Sequence, residues 1–306
     1  MYEIDEKYIE QATKAFYGLI QDKEGGEPDT RYKSWEWCYQ AFADGRKKYN
    51  QTTNDNEKEK IVDFLALHLA FYLASWGMYR GSAFLLQRDY KTHIGAVNIL
   101  LKEKCDSLWG YEPASINGEN SEQNDAILEP DTGLYARIKD SYNIKKAYNY
   151  EETNDEENAT DTLVTKILMG TMGCIPAFDR FLKKGIKWLK YHFEDYKKIS
   201  GTIYNQKNNV GKTFNILENL ACANKDSLKK CGAKIVTNGE KCDYPIMKCV
   251  DMFLWQVGFE LDLLENLEKN KNCEKNIRIA KKIGICKEDA DCDDVINAIS
   301  DRWKVE

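Results

Sequence analysis

Apolar residues recur at steps of three and four along almost the whole chain, and sustained two-residue alternation is missing. This spacing places apolar side chains on one face of an α-helix and is not typical of a sheet. The chain has only five prolines and 19 glycines, which argues against a turn-dense β-protein. We therefore predict an all-α fold, a compact multi-helix domain of about ten helices with non-bundle connectivity. The expected helices are 4–21, 30–48, 57–79, 82–104, 133–147, 161–172, 177–199, 212–231, 245–268 and 288–304.

The most apolar stretch runs from Ile61 to Met78. Its length approaches that of a membrane span, but Asp63, His68 and Ser75 interrupt it. We predict a buried central helix and no membrane partner. Four side chains are expected in the core, namely Leu65, Leu69, Tyr72 and Trp76.

The beginning of the chain, residues 1–6, is acidic and lacks the apolar segment of a secretory signal, which predicts a cytoplasmic protein. We expect a single all-helical domain over residues 1–306. Two lobes, 1–110 and 133–306 joined by a polar loop at 112–132, are the alternative organisation. The oligomeric state is not indicated by the sequence.

The chain has ten cysteines, an even number that raises the question of disulfides or zinc. No pair shows the two-residue gap of a zinc knuckle, and the spacing matches no iron–sulfur motif. We predict free, mostly buried thiols, no metal site and no cofactor.

The predicted helix 177–199 is strongly basic, although the net charge of the whole chain is −6. One of its faces is apolar, and basic side chains occupy the opposite face. Clustered Lys and Arg release counterions from a nucleic-acid backbone, so this face is a candidate binding surface; a solvated amphipathic face is the alternative. The candidate nucleic-acid-binding residues are Arg180, Lys183, Lys184, Lys187 and Lys190.

The segment from Lys166 to Arg180 (KILMGTMGCIPAFDR) joins a lysine-bearing helix, a small-residue break and a Pro-x-x-Asp start of the basic helix. It resembles the catalytic region of the helix-hairpin-helix DNA glycosylases. The run from Tyr244 to Trp255 is similar to a terminal helix of bacterial proteins distantly related to that family. In the later run, Asp251 lies among apolar residues and needs a partner; Lys248, one turn earlier, is the expected one.

The resemblance implies that Asp179 stabilises the positive charge that develops as a glycosidic bond breaks, and that Lys166 is an amine nucleophile. It also implies that the substrate base leaves the DNA stack. The alternatives are a plain helix N-cap for Asp179 and a solvent-facing position for Lys166.

The segment from Arg88 to His93 resembles the Arg-polar-x-x-x-His signature of HEPN ribonucleases, which are helical. In that family a histidine moves a proton at the 2′-hydroxyl and an arginine holds the phosphate. The resemblance implies Arg88 and His93 as alternative catalytic residues.

Two glycines flank Arg80 just after the most apolar segment. Glycine allows the backbone to turn sharply or to approach a ligand. The functional interpretation makes Arg80 the anion-binding wall of a pocket, in which Trp76 and Tyr79 are available to stack on a flipped base. The alternative is an ordinary helix–helix corner with Arg80 paired to an acid.

These observations favour a glycosylase-like helical protein that binds or processes nucleic acid, DNA rather than RNA, with base excision in phage defence as a candidate role. The alternatives are a HEPN-type ribonuclease and a non-catalytic helical interaction protein. Whether the protein is an enzyme is left open by the sequence.

Overall fold

The computed structural model describes residues 2–20, 30–81, 83–114, 116, 121–143, 159–199, 212–232, 234–270 and 274–304. Within these residues the protein is 71% helical and 3% strand, which confirms the predicted all-α class. The α-helices are α1 (Glu6–Ile20), α2 (Ser34–Gln51), α3 (Asp55–Ser75), α4 (Ile94–Leu100), α5 (Ser121–Leu128), α6 (Leu134–Ser141), α7 (Asp161–Thr171), α8 (Arg180–His192), α9 (Lys212–Ala223), α10 (Lys225–Cys231), α11 (Ile246–Lys269), α12 (Glu274–Lys282) and α13 (Cys292–Trp303).

Several helix ends follow from local chemistry. Asn54 begins α3 by accepting hydrogen bonds from the backbone N–H groups of Asn56 and Glu57, as a helix-capping amide does. Asp291 and Asp294 form a reciprocal capping box at the start of α13.

Other boundaries differ from the prediction. The expected helix 82–104 is broken into the 3₁₀ turns Phe84–Gln87 and Tyr90–His93 before α4, because Asp89 accepts a hydrogen bond from Lys91 N and starts a new turn. The polar stretch 112–132 contains α5, and α12 was not expected. The polar stretch 150–160, which the sequence predicts to be an exposed loop, lies mostly outside the described residues.

Two short strands, β1 (Lys234–Thr237) and β2 (Glu240–Asp243), form an antiparallel hairpin. This hairpin was not predicted from the sequence. Its strands are too short to establish a visible alternation. Asn238 and Gly239 make the turn with positive φ values of 53° and 81°, the conformation that an Asn-Gly hairpin turn requires.

Helix α11 lies at the centre of the core and packs against α1, α8, α9, α10, α12 and α13. Its approach to α8 is close because both contact positions are glycines. A Cβ on Gly258 would lie 1.8 Å from the carbonyl oxygen of Phe181, and one on Gly185 would lie 2.1 Å from that of Leu254. This contact fixes where α8 begins relative to α11.

Helix α3 packs against α2, α4 and α7 with one face only. Leu65, Leu69 and Tyr72 are buried as predicted, and Trp76 is half-buried. The expectation of a helix buried all round is wrong, because Phe64, Leu67 and Phe71 are each more than half exposed. No helix among the described residues is long and apolar enough to cross a membrane.

Candidate active site

The connection between α7 and α8 carries the candidate site. Helix α7 ends at Thr171, and Gly173 turns the chain with a φ of 64° against the ring of Pro245. Residues 174–178 are buried, and Asp179 follows them as the N-cap of α8. The sequence therefore brings Asp179 to the start of the basic helix through a short loop packed inside the protein.

Lys166 and Asp179 form an ion pair in which Lys166 Nζ lies 3.2 Å from Asp179 Oδ2. Their side chains are 5% and 13% exposed. The second carboxylate oxygen, Oδ1, accepts from the backbone N–H groups of Phe181 and Leu182. Asp179 is thus an N-cap and an ion-pair partner at once, and Lys166 faces the protein interior rather than solvent.

Two tryptophans surround this ion pair. Trp255 Nε1 donates to Asp179 Oδ2 over 3.3 Å, and Lys166 Nζ lies 5.1 Å from the centroid of the Trp76 ring. The two rings meet edge to face with centroids 5.9 Å apart. The indole N–H of Trp76 is buried and has no hydrogen-bond partner in the described structure, which is uncommon for a buried donor.

A second buried ion pair holds the loop from the other side. Lys248 Nζ lies 2.9 Å from Asp251 Oδ2, which confirms the predicted partner, and Asp251 Oδ1 accepts from Ala177 N over 2.9 Å. Phe178 N donates to Thr165 Oγ1 on α7. The backbone just before Asp179 is therefore fixed by hydrogen bonds to two helices, a support that the sequence did not indicate.

The candidate nucleic-acid-binding residues lie along α8 and differ in their pairing. Arg180 and Lys184 pair with Asp262 of α11, and Lys184 also pairs with Glu265. Lys187 and Lys190 are exposed, and Lys183 is half-buried. The basic face is thus narrower than the sequence indicates, because α11 supplies carboxylates to one edge of it.

His93 lies in the core with no exposed surface. Its Nε2 and Nδ1 atoms each lie 2.6 Å from a tyrosine hydroxyl, those of Tyr79 and Tyr142. Burial lowers the pKa of His93 from 6.5 to about 4, against a smaller opposite effect of Asp89. Arg88 lies in the extended connection between the two 3₁₀ turns and is half-buried. This environment favours a packing role for His93 over proton transfer to a substrate.

The residues proposed for an anion-binding pocket face different surroundings. Arg80 is exposed and folds over Gly77, where a Cβ would lie 2.7 Å from Arg80 Nε. Tyr79 contacts His93, whereas Trp76 faces Lys166. Of the three, Trp76 alone contacts the Lys166–Asp179 pair through a described interaction.

Two concave surfaces lie elsewhere. One is a groove between α2 and α3, and the other is a polar hollow beside Asn224 at the end of α9. Neither is lined by Lys166, Asp179 or His93. Among the described residues no group of His, Cys, Asp or Glu is arranged to hold a metal ion.

Comparison of the chain with protein-family models, with curated proteins and with solved structures gives no match.

Proposed function

We propose that this protein binds DNA along the outer face of α8 and that Lys166 and Asp179 excise a base by glycosylase chemistry. The observation that carries the proposal is the ion pair itself. Its two residues are 13 positions apart in the chain, and each matches a catalytic position of the glycosylase resemblance. They meet at the N-cap of the helix that carries the basic face.

Asp179 has the features of a group that stabilises positive charge at the sugar. Its orientation is fixed by two backbone N–H donors and by Trp255, so its charge needs no rearrangement as the glycosidic bond breaks. Such preorganised charge is commonly the largest contribution to catalysis.

Lys166 would act as the nucleophile at C1′ of the sugar. The ammonium group of Lys166 first gives a proton to the base. The resulting amine then forms a bond to C1′ while the electron pair of the breaking C1′–N bond moves onto the protonated base, which leaves as a neutral molecule. The C1′–O4′ bond then breaks, a proton moves from the nitrogen of Lys166 to O4′, and a protonated imine joins C1′ to Lys166. Because Lys166 is buried beside Trp76, a sugar could reach its amine only after the base leaves the stack and the side chains that cover Lys166 move aside.

The basic face would hold the phosphates next to this pair. Lys183, Lys187 and Lys190 lie on α8 within about 17 Å of Asp179, given a rise of about 1.5 Å per residue. These distances fit a DNA strand that passes Asp179 and then continues along α8.

The test of the chemistry is base release and borohydride trapping on duplex oligonucleotides that carry a panel of damaged or modified bases. We expect wild type to release a base and to form a covalent adduct. Lys166→Gln should form no adduct, and Asp179→Asn should release base at least 100-fold more slowly. The double variant Lys166→Gln/Asp179→Asn keeps a neutral pair and serves as the matched control for folding, which is checked by circular dichroism. Adduct formation by Lys166→Gln, or no base release by wild type on any oligonucleotide, would overturn the catalytic assignment.

The test of the binding surface is the salt dependence of DNA affinity. Lys183→Glu/Lys187→Glu/Lys190→Glu should weaken binding at least 100-fold and flatten the dependence on salt, since fewer counterions are released. The matched control is Lys275→Glu/Arg278→Glu/Lys282→Glu, which makes the same change of charge at exposed positions of α12. Equal losses in both triple variants would attribute binding to overall charge and contradict the assignment to α8.

A further inference from the structure

Helix α3 presents an apolar stripe to solvent. Phe64, Leu67 and Phe71 are 53%, 53% and 63% exposed, and their spacing of three and four residues places them on one side of the helix. Trp37 on the neighbouring helix α2 is 55% exposed. These four side chains are half of the large exposed apolar residues in the described part of the chain, so apolar exposure is concentrated on one face.

Beside this stripe lies a groove between α2 and α3 with a volume of about 540 Å³. Its apolar lining consists of Trp37, Ala41, Gly45, Ile61 and Phe64, and the polar residues Gln40 and His68 also line it. Asp44, Lys48 and Lys60 form its polar edge. The groove follows α3 from Lys60 to His68, whereas Leu67 and Phe71 are not part of its lining.

The same surface therefore has a hollow and a ridge along one helix. A two-fold interface requires such self-complementarity, because one patch must contact its own copy. If two α3 helices pair in antiparallel orientation, Leu67 and Phe71 of one copy lie over the groove of the other, and the reverse contact forms by symmetry. A small molecule in the groove would leave Leu67 and Phe71 uncovered.

The exposed area is consistent with a stable dimer. Aromatic side chains present about 150–250 Å² each. The three aromatic residues on this face, Trp37, Phe64 and Phe71, together with Leu67, therefore provide roughly 400 Å² of apolar surface. A standard interface buries about 800 Å² per partner, of which a little over half is apolar. The stripe and Trp37 thus supply most of the apolar core of such an interface, and the polar edge of the groove supplies part of its rim.

We propose that this protein forms a homodimer through the α2–α3 face, with two α3 helices packed antiparallel across a two-fold axis. This interface is separate from the Lys166–Asp179 pair and does not depend on the proposed catalysis.

The test is the mass in solution, measured by analytical ultracentrifugation over a 100-fold range of concentration. Wild type should have twice the mass of one chain at high concentration. Phe71→Glu should be monomeric throughout, because each two-fold contact then buries two carboxylates against apolar surface. Leu86→Glu is the matched control, since Leu86 is 47% exposed but lies outside the stripe and the groove; this variant should remain dimeric.

Circular dichroism verifies that each variant is folded, and Phe71→Ser replaces Phe71→Glu if the latter is not. Phe71→Ser should shift the midpoint of dissociation to at least tenfold higher concentration. Wild type that is monomeric at every concentration overturns the proposal, as does a Phe71 variant that dimerises as tightly as the Leu86→Glu control.

Discussion

At the scale of single residues, buried charges occur in pairs around one loop. Lys166 pairs with Asp179 and Lys248 pairs with Asp251, all with little solvent exposure. Removing charges from water is costly unless each finds a partner, and loss of one partner from such a pair commonly costs about 3–5 kcal/mol. Loss of one member therefore leaves an unpaired buried charge beside the loop, whereas neutral replacement of both members does not.

His93 leads to a prediction about pH. Its pKa is about 4 in the folded protein against 6.5 ordinarily, so between these values the unfolded chain binds a proton that the folded chain does not. The free energy of unfolding should therefore fall as pH decreases from 6.5 to 4, with a contribution on the order of 3 kcal/mol. Urea unfolding of wild type and His93→Gln at several pH values isolates this contribution. The prediction is wrong if the free energies of unfolding of wild type and His93→Gln differ by the same amount at every pH in this range.

At the scale of elements, the packing of α8 on α11 positions the candidate site. Asp179 caps α8, and its partner Trp255 is on α11, so the hydrogen bond between them requires the two helices to approach closely. Gly185 and Gly258 allow this approach. The apolar periodicity of a helix does not indicate which of its residues will contact the backbone of another helix.

Substitution of Gly258 tests this contact. Gly258→Ala places a methyl group on the carbonyl oxygen of Phe181, so we expect the free energy of unfolding to fall by roughly 3 kcal/mol or more. Gly95 lies at an exposed position of α4, and Gly95→Ala should remain within about 1 kcal/mol of wild type. Urea denaturation compares the two variants. Equal stability of both would show that the two helices separate without cost.

At the scale of the whole molecule, residues near the two ends of the described chain pack together. Tyr8 Oη donates to Lys304 O, Trp188 Nε1 donates to Trp303 O, and Trp303 Nε1 donates to the buried Glu260. Contacts also join the two lobes that the sequence allows: α1 packs on α11, and α2 and α3 pack on α7.

These contacts predict one cooperative unfolding transition. If 1–110 and 133–306 share a core, neither part retains its buried surface after the other unfolds. Urea unfolding followed by far-ultraviolet circular dichroism and by tryptophan fluorescence should give coincident curves. Two separated transitions would instead assign the lobes to independent domains.

The sequence by itself determined the features that depend on neighbours within one or two helical turns. Apolar periodicity indicated the helical class, and Lys248 paired with Asp251 three residues away as expected. It also identified Lys166 and Asp179 as separate candidates. These features follow from contacts between residues close in the chain, which require no long loop to close.

Only the tertiary structure decided which distant groups meet. It joined Lys166 to Asp179, added Trp76 and Trp255, enclosed His93 between two tyrosines and left one face of α3 exposed. The local sequence around an apolar side chain does not indicate which residue will cover it. The sequence around a lysine likewise does not indicate which carboxylate will pair with it. Their burial depends on how all the helices pack at once, so the pattern of a single segment cannot contain it.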